Sequence, residues 1–240
     1  MSKLKSKIVA FLDYWTLDTT LKCPAYSNKH RGRVFLVVAT GPSARKYDVK
    51  LNQFIQKYNP VIIGANNVSS IVAPDYHCFT NKKRFSEFSS TVADKSKVLL
   101  SPYFSKNFVR KHYKNSFDRL MFVNDHEAKF DIVDGVIQAS CRSIGVLMIA
   151  IAVVMGAKEV YVYGLDGYSD ILNKGGAINY YNGDNTVNNT RAEKLLSTER
   201  YNRKFLKEID KYFKEKIFRA FFIITPTVYS DYYKNIDDLI

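Results

Sequence analysis

VFLVVATGPSARKYD, residues Val34 to Asp48, changes character twice within fifteen positions. Its first five residues are apolar and mostly β-branched or aromatic, and Ala39 extends the run. Such a run suits a strand buried on both faces, and its shortness and β-branching favour strand over buried helix. Gly41-Pro42-Ser43 then breaks the pattern. Glycine lets backbone approach a ligand closely, proline ends a hydrogen-bond ladder, and Ser43 or Asp48 can cap the helix that follows. A loop that leaves a buried parallel strand and opens a helix aims backbone N–H groups at an anion. The same punctuation also serves a plain strand-to-helix turn. The stretch lacks the Lys-Ser/Thr ending of a Walker loop and the third glycine of a dinucleotide fingerprint, which argues against ordinary ATPase and NAD readings.

The alternation continues outward from this stretch. Val49 to Tyr58 reads as a helix stopped by Asn59-Pro60, and Val61 to Ala65 as a strand ending at Asn66-Asn67. Tyr76 to Phe79 is a short strand ending at Thr80-Asn81, followed by a basic helix carrying Phe85 and Phe88. Lys97 to Leu100 is a strand ending at Ser101-Pro102. Helical spacing then puts Phe104, Phe108 and His112 on one face, and Arg119 to Val123 reads as one strand ending at Asn124-Asp125. Further on, Ser143 to Met155 is a helix apolar all round, hence buried, with Gly156 as its stop. Strand Glu159 to Tyr163 leads into Gly164-Leu165-Asp166-Gly167-Tyr168. Short apolar strands alternating with helical segments predict an α/β fold: a single Rossmann-like domain whose mostly parallel sheet is covered by helices on both faces. Polar residues recur just past strand C-termini, the edge where ligands sit in open α/β sheets. Asp166 stands there, and a carboxylate at a central strand end serves to orient a ligand or a neighbouring loop.

Ser169 to Thr190 is polar and rich in glycine, asparagine and tyrosine, too long for a tight connection, and reads as a lid or a surface insertion. Arg191 to Lys216 reads as a long amphipathic helix with Leu195, Leu196, Phe205, Leu206, Ile209 and Phe213 inward. Arg219 to Ile224 is a last strand stopped by Thr225-Pro226-Thr227, and Val228 to Tyr233 an aromatic tail. The predicted organisation is a basic extension over residues 1–33 and an α/β domain over 34–240 with its lid at about 169–190. The opening MSKLKSKIVAFLDYWTL is basic and then apolar, but Asp13 interrupts it, so a membrane-surface or packing helix is expected rather than a cleaved signal.

A chain of 240 residues, 46% hydrophobic, buries a full core. Three widely spaced cysteines, Cys23, Cys78 and Cys141, form no CxxC and indicate neither a disulfide framework nor a zinc site, which fits a reducing cytoplasm. No apolar run reaches membrane-spanning length. The net charge of +13 is spread: seven cations against two acids over 1–33, ten against three over 82–119, ten against five over 191–219. Such a field draws nucleic acid, anionic lipid or a phosphorylated substrate. No nucleic-acid-binding signature accompanies it, so an anionic membrane surface, the inner face of the inner membrane, is the expected partner.

In order along the chain, ATGPSARKYD, GANN, HCFTN, SIGVLMIAIAVVMGAKEVYVYGLDGY and ITPT resemble the bacterial sialyltransferases of the Campylobacter type. They also resemble the wider group that includes motility-associated glycosyltransferases and archaeal pterin pyrophosphokinase-like proteins. The likeness runs over residues 34 to 230. It implies a sialyltransferase-like variant of the GT-A fold that uses a CMP-activated nonulosonic acid, inverts the anomeric centre and needs neither metal nor cofactor. Carried over by position, the phosphate and ribose loop falls on Thr40, Gly41, Pro42 and Ser43, and two nucleotide-contacting asparagines on Asn66 and Asn81. The turn before the buried helix falls on Ser143, Ile144 and Gly145, the tyrosine touching the departing phosphate on Tyr168, and the acid of that motif on Asp166. Phenol and backbone donors that meet the growing phosphate charge ease its departure.

The chain departs from this pattern in one respect: the family's lid carries a histidine base, and no histidine follows His126. Glu193, Asp184 and His126 are the remaining candidates. The acceptor expected by resemblance is a glycan or lipid-linked sugar of bacterial surface polysaccharide or lipopolysaccharide. The alternatives are a pyrophosphokinase needing magnesium, with Asp166, Asp170, Asp131 and Asp134 as possible ligands, and an inactive nucleotide-binding module.

Overall fold

A computed structural model of the chain describes residues 26–120, 122–123, 130–139, 143–175, 188–217 and 220–240. Seven strands form one parallel sheet. In chain order they are β1 (Val34–Val38), β2 (Val61–Ala65), β3 (Tyr76–Phe79), β4 (Lys97–Leu100), β5 (Phe117–Arg119), and later β9 (Glu159–Tyr163) and β10 (Phe221–Ile223), lying side by side as β10-β9-β1-β2-β3-β4-β5. Every neighbouring pair is parallel. The α/β expectation is met. β1 is central, and four of its five residues are buried, as a strand covered on both faces requires.

The order of strands decides where a ligand fits. From β1 the chain builds outward through β2, β3, β4 and β5, then returns to the other side of β1 with β9 and β10. The reversal falls between β1 and β9, the position at which open α/β sheets take their ligands. Helices α1 (Asp48–Tyr58), α2 (Lys82–Phe88) and α3 (Lys106–His112) follow β1, β3 and β4. Helix α4 (Ile144–Val154) precedes β9, α5 (Ser169–Asn173) follows it, and α6 (Asn189–Tyr212) precedes β10.

One side of the sheet packs on α4 and α6. In α4 all nine residues from Gly145 to Val153 are buried, which accounts for its lack of a polar stripe. Of the inward positions expected on α6, Phe205, Leu206 and Ile209 are buried, as is Phe213 just beyond it, whereas Leu195 and Leu196 lie half-buried near the helix start. The other side packs Leu36, Val38 and Ile62 on Leu51 and Phe54 of α1. A separate cluster of Phe79, Phe85, Val98, Leu100, Phe104 and Val109 seats α2 and α3 on the outer strands.

One local reading changes. The single strand expected over Arg119 to Val123 is divided: β5 ends at Arg119, and β6 (Phe122–Val123) joins a second sheet with β7 (Asp131–Val133) and β8 (Val136–Gln138). β7 and β8 form a hairpin through Asp134 and Gly135, both at positive φ (52° and 75°), as a primed two-residue turn requires. The segment from Ser169, read as the start of a lid or surface insertion, opens as helix α5. Residues 26–33 are anchored to the end of α4, since the amides of Asn28, His30 and Gly32 donate to the carbonyls of Val154, Met155 and Gly156.

Candidate functional site

The loops that follow β1 and β9, at the strand reversal, hold each other. Ser43 donates its backbone N–H to Asp166 Oδ2 at 2.7 Å and its hydroxyl to Asp166 Oδ1 at 2.5 Å. The Gly41 amide donates to the Gly164 carbonyl at 2.9 Å. This approach leaves no room for a side chain at position 41, where a Cβ would lie 2.5 Å from the Gly164 oxygen and 2.6 Å from Asp166 Oδ1. Ser43 therefore does not cap α1; Tyr47 occupies the N-cap without a side-chain bond, and Asp48 is the first helical residue. Pro42 opens a 3₁₀ turn, Pro42–Arg45, which carries the chain from the loop into α1. Burial raises the Asp166 pKa, while the Ser43 bonds and then Lys46 act in the opposite direction.

The loop that follows β9 is braced from behind. Gly164 donates to the buried Thr225 hydroxyl at 2.9 Å, Thr227 donates to the Leu165 carbonyl at 2.7 Å, and the Val228 amide donates to the Asp166 carbonyl at 2.9 Å. At Gly167, φ is +86° and a Cβ would sit 2.2 Å from Val228 Cγ2, so only glycine fits. Glu199 on α6 completes the clamp. Its Oε2 accepts from the amides of Tyr168 at 2.6 Å and Ser169 at 2.7 Å, and its Oε1 accepts from the Ser169 hydroxyl at 3.0 Å. Sequence reasoning passed over Glu199, Thr225 and Thr227 as functional residues; the signal for the threonines was their place just past a strand.

The start of α4 lies against both strand ends. Ser143 is its N-cap, without a side-chain bond, and a Cβ on Gly145 would meet Leu165 at 3.0 Å and Ala39 at 3.4 Å. The positive end of an eleven-residue buried helix thus abuts the last residues of both central strands, which favours an anion there. Thr40 is buried at the mouth of the β1 loop. Asn66 follows β2, beside β1, with φ 55°. Asn81 lies past β3 and is exposed; its side chain accepts from the Arg84 amide at 3.2 Å and caps α2.

Tyr168 is half-buried at the end of the β9 loop, and Glu193 is exposed on the first turns of α6. His126, Asp184 and the middle of the expected lid, 176–187, lie outside the described residues, as does the opening 1–25. Asp170 is exposed on α5, and Asp131 and Asp134 belong to the small hairpin. Among the described residues no three His, Cys, Asp or Glu side chains come together as a metal site, and no helix is long and apolar enough to cross a membrane.

No family model matches the sequence, and no curated protein matches it. Among solved structures, the chain is similar to the MAf glycosyltransferase from Magnetospirillum magneticum, with 15% identity and a TM-score of 0.53 over 85% of this chain and 35% of that one. It spans about a third of that protein's length. It is also similar to the sialyltransferase CstII from Campylobacter jejuni, solved in complex with the substrate analogue cytidine-5'-monophosphate. There the identity is 14% and the TM-score 0.50, over 86% of each chain. At such identities the likeness is one of fold: the chain has the mostly parallel α/β architecture of these two transferases.

Proposed function

We propose that the chain is a glycosyltransferase that moves a nonulosonic acid, a sialic-acid-like or Kdo-like sugar, from a CMP-activated donor to a glycan or lipid-linked acceptor. The observation that carries this reading is the convergence of the Thr40–Ser43 loop, the Asp166–Tyr168 loop and the α4 N-terminus at the strand reversal. The donor phosphate takes the helix end and loop amides, with Asn66 and Asn81 bordering the nucleoside side. The Tyr168 phenol donates to the leaving phosphate as its charge grows. Asp166 acts through Ser43 by holding the phosphate loop in place. Inversion by direct displacement needs an acceptor base, and Glu193, Asp184 and His126 are its candidates. No cofactor takes part in this scheme.

The acceptor belongs, on this reading, to bacterial surface polysaccharide or lipopolysaccharide synthesis, on the cytoplasmic side of the inner membrane. The stretches Tyr76–Ser86 and Lys95–Phe117 carry nine lysines and arginines and no acid. They contribute to β3, β4, α2 and α3, where Glu87 and Asp118 offset Arg84 and Lys97, and the net positive charge of this outer half is proposed to meet anionic lipid.

A thermal-shift panel of CMP, CDP, ATP and GTP, each with and without Mg²⁺, tests the donor class. Saturating CMP without metal is expected to raise Tm by about 5 °C or more through linkage. A metal-dependent preference for ATP would overturn the transferase reading in favour of pyrophosphoryl transfer, and no shift with any nucleotide would leave a scaffold module.

A further inference from the structure

His77 is a buried, uncharged imidazole that the proposed chemistry does not use. It sits in β3 opposite Gly64 of β2, fully buried, with its ring stacked on Phe79 at 4.5 Å between centroids. Its Nε2 lies 2.7 Å from the backbone carbonyl of Asn66. A carbonyl only accepts, so Nε2 carries the proton and Nδ1 the lone pair. That Nδ1 has no hydrogen-bond partner among the described residues. Desolvation holds the ring neutral, with its pKa lowered to about 4. A phenylalanine would keep the stacking and avoid burying an unmatched nitrogen. What the histidine adds is the bond from Nε2.

That bond lands on the turn that follows β2. The β1–β2 register ends at Val38 and Gly64, so Thr40 and Asn66 each lie two residues past that last pair, at the same edge of the sheet. Asn66 takes a left-handed conformation, φ 55°, and the chain then turns through Val68–Ser70. Val68 folds back over the bare Cα of Gly64, where a Cβ would come within 2.4 Å of Val68 Cγ2. Two ties therefore hold this turn, one apolar through Val68 and one polar through His77. The polar tie sits at the left-handed residue itself.

We propose that His77 is the positioning residue for the β2 side of the nucleotide site: by donating to the Asn66 carbonyl it fixes the turn that follows β2, at the same sheet edge as the Thr40 loop. This inference rests on the nucleotide reading above for its consequence, and on the His77–Asn66 contact for its geometry.

The test compares the full chain with His77→Phe, which keeps the ring and loses the donor, and His77→Gln, which restores an amide N–H at the reach of Nε2. Two quantities are read: hydrogen exchange of the 66–71 amides without ligand, and CMP affinity by calorimetry. His77→Phe is expected to speed exchange in that turn about tenfold with little change elsewhere, and to weaken CMP binding about three- to tenfold. His77→Gln is expected to recover most of both. Wild-type exchange and affinity in the phenylalanine variant would overturn the inference, as would a fall in Tm with unchanged affinity per folded molecule. Should His77→Phe fail to fold, His77→Gln against His77→Met decides it, and equal CMP affinity in those two overturns it. If the wild type itself binds no CMP, the nucleotide reading fails, and the exchange of the 66–71 turn alone supports or overturns the tie.

Discussion

Ser43 and Asp166, 123 positions apart in sequence, share two hydrogen bonds that use both donors of one residue and both oxygens of the other. The pair ties the two strand-end loops together at the sheet's reversal point. Asp166→Ala orphans a half-buried amide and hydroxyl, and is expected to cost about 2–3 kcal/mol, whereas Ser43→Ala keeps the amide bond and costs about 1 kcal/mol. Because the two share one interaction, the double variant should fall short of the sum by about 0.5–1.5 kcal/mol in a urea-denaturation cycle. Additive losses would show that the two loops are held by other contacts.

Gly41→Ala tests the close approach of the loops. A Cβ there would collide with a backbone oxygen and a carboxylate that is already fixed by Ser43, and neither can swing away as a flexible side-chain end could. The expected cost is about 1–3 kcal/mol of stability, with CMP binding weakened by more than the stability loss explains. Gly32→Ala is the control. Gly41 has φ −67°, which any residue adopts, so its cost is steric alone, whereas Gly32 has φ +79° with nothing within 4 Å of the added carbon and reads backbone strain without collision.

The strands of the main sheet were legible because each buried strand is a short apolar run bounded by Asn, Pro or Gly, and a parallel sheet needs no finer register signal. The division of Arg119 to Val123 was not legible. Nothing in five residues says that a chain leaves one sheet and enters another, since that depends on which neighbour offers a free edge. The Asp134-Gly135 hairpin was readable in principle, but its strands of three residues fall below the length at which alternation stands out. At the site, Ser43 looked like a helix cap because its Asp166 partner is remote in sequence. Glu199 looked like one of many charges on a solvated helix, since an amphipathic pattern does not single out the one carboxylate that turns inward. His77 was hidden inside an apolar strand, where a histidine reads as core.

His77 also sets a pH dependence. Its pKa falls from an ordinary 6.5 to about 4 in the folded chain, chiefly by desolvation. As pH drops below about 6.5, the unfolded chain takes up the proton and the folded chain does not. The histidine's full stabilising contribution is therefore present above pH 6.5 and is lost progressively as pH falls toward 4, by on the order of 3 kcal/mol in all. Urea denaturation of the wild type and His77→Phe at pH 7, 5.5 and 4.5 measures this. The difference between the two proteins should shift steadily in favour of the variant as pH falls. Parallel curves would mean that His77 titrates normally.

Glu199 joins the helix that follows the expected lid to the loop that precedes it. Its carboxylate accepts from the Tyr168 and Ser169 amides and the Ser169 hydroxyl, and Arg203 stands 3.9 Å from Oε1. Removing it takes the acceptor from the Tyr168 and Ser169 amides while the Ser43–Asp166 pair and the β1 loop keep their bonds. On the proposed reading the Tyr168 hydroxyl meets the departing phosphate, a contact that would strengthen as the donor bond breaks. Glu199→Ala should therefore lower kcat about tenfold or more and change CMP affinity about threefold or less, with about 2 kcal/mol lost from stability. Glu199→Gln keeps one oxygen for both amides and should retain most of the turnover. Tyr168→Phe should reproduce the kcat loss without the stability loss, because it removes the hydroxyl and leaves the backbone clamp in place. A Glu199→Ala enzyme with wild-type kcat and weakened CMP binding would assign the clamp to the nucleotide instead of to the leaving group.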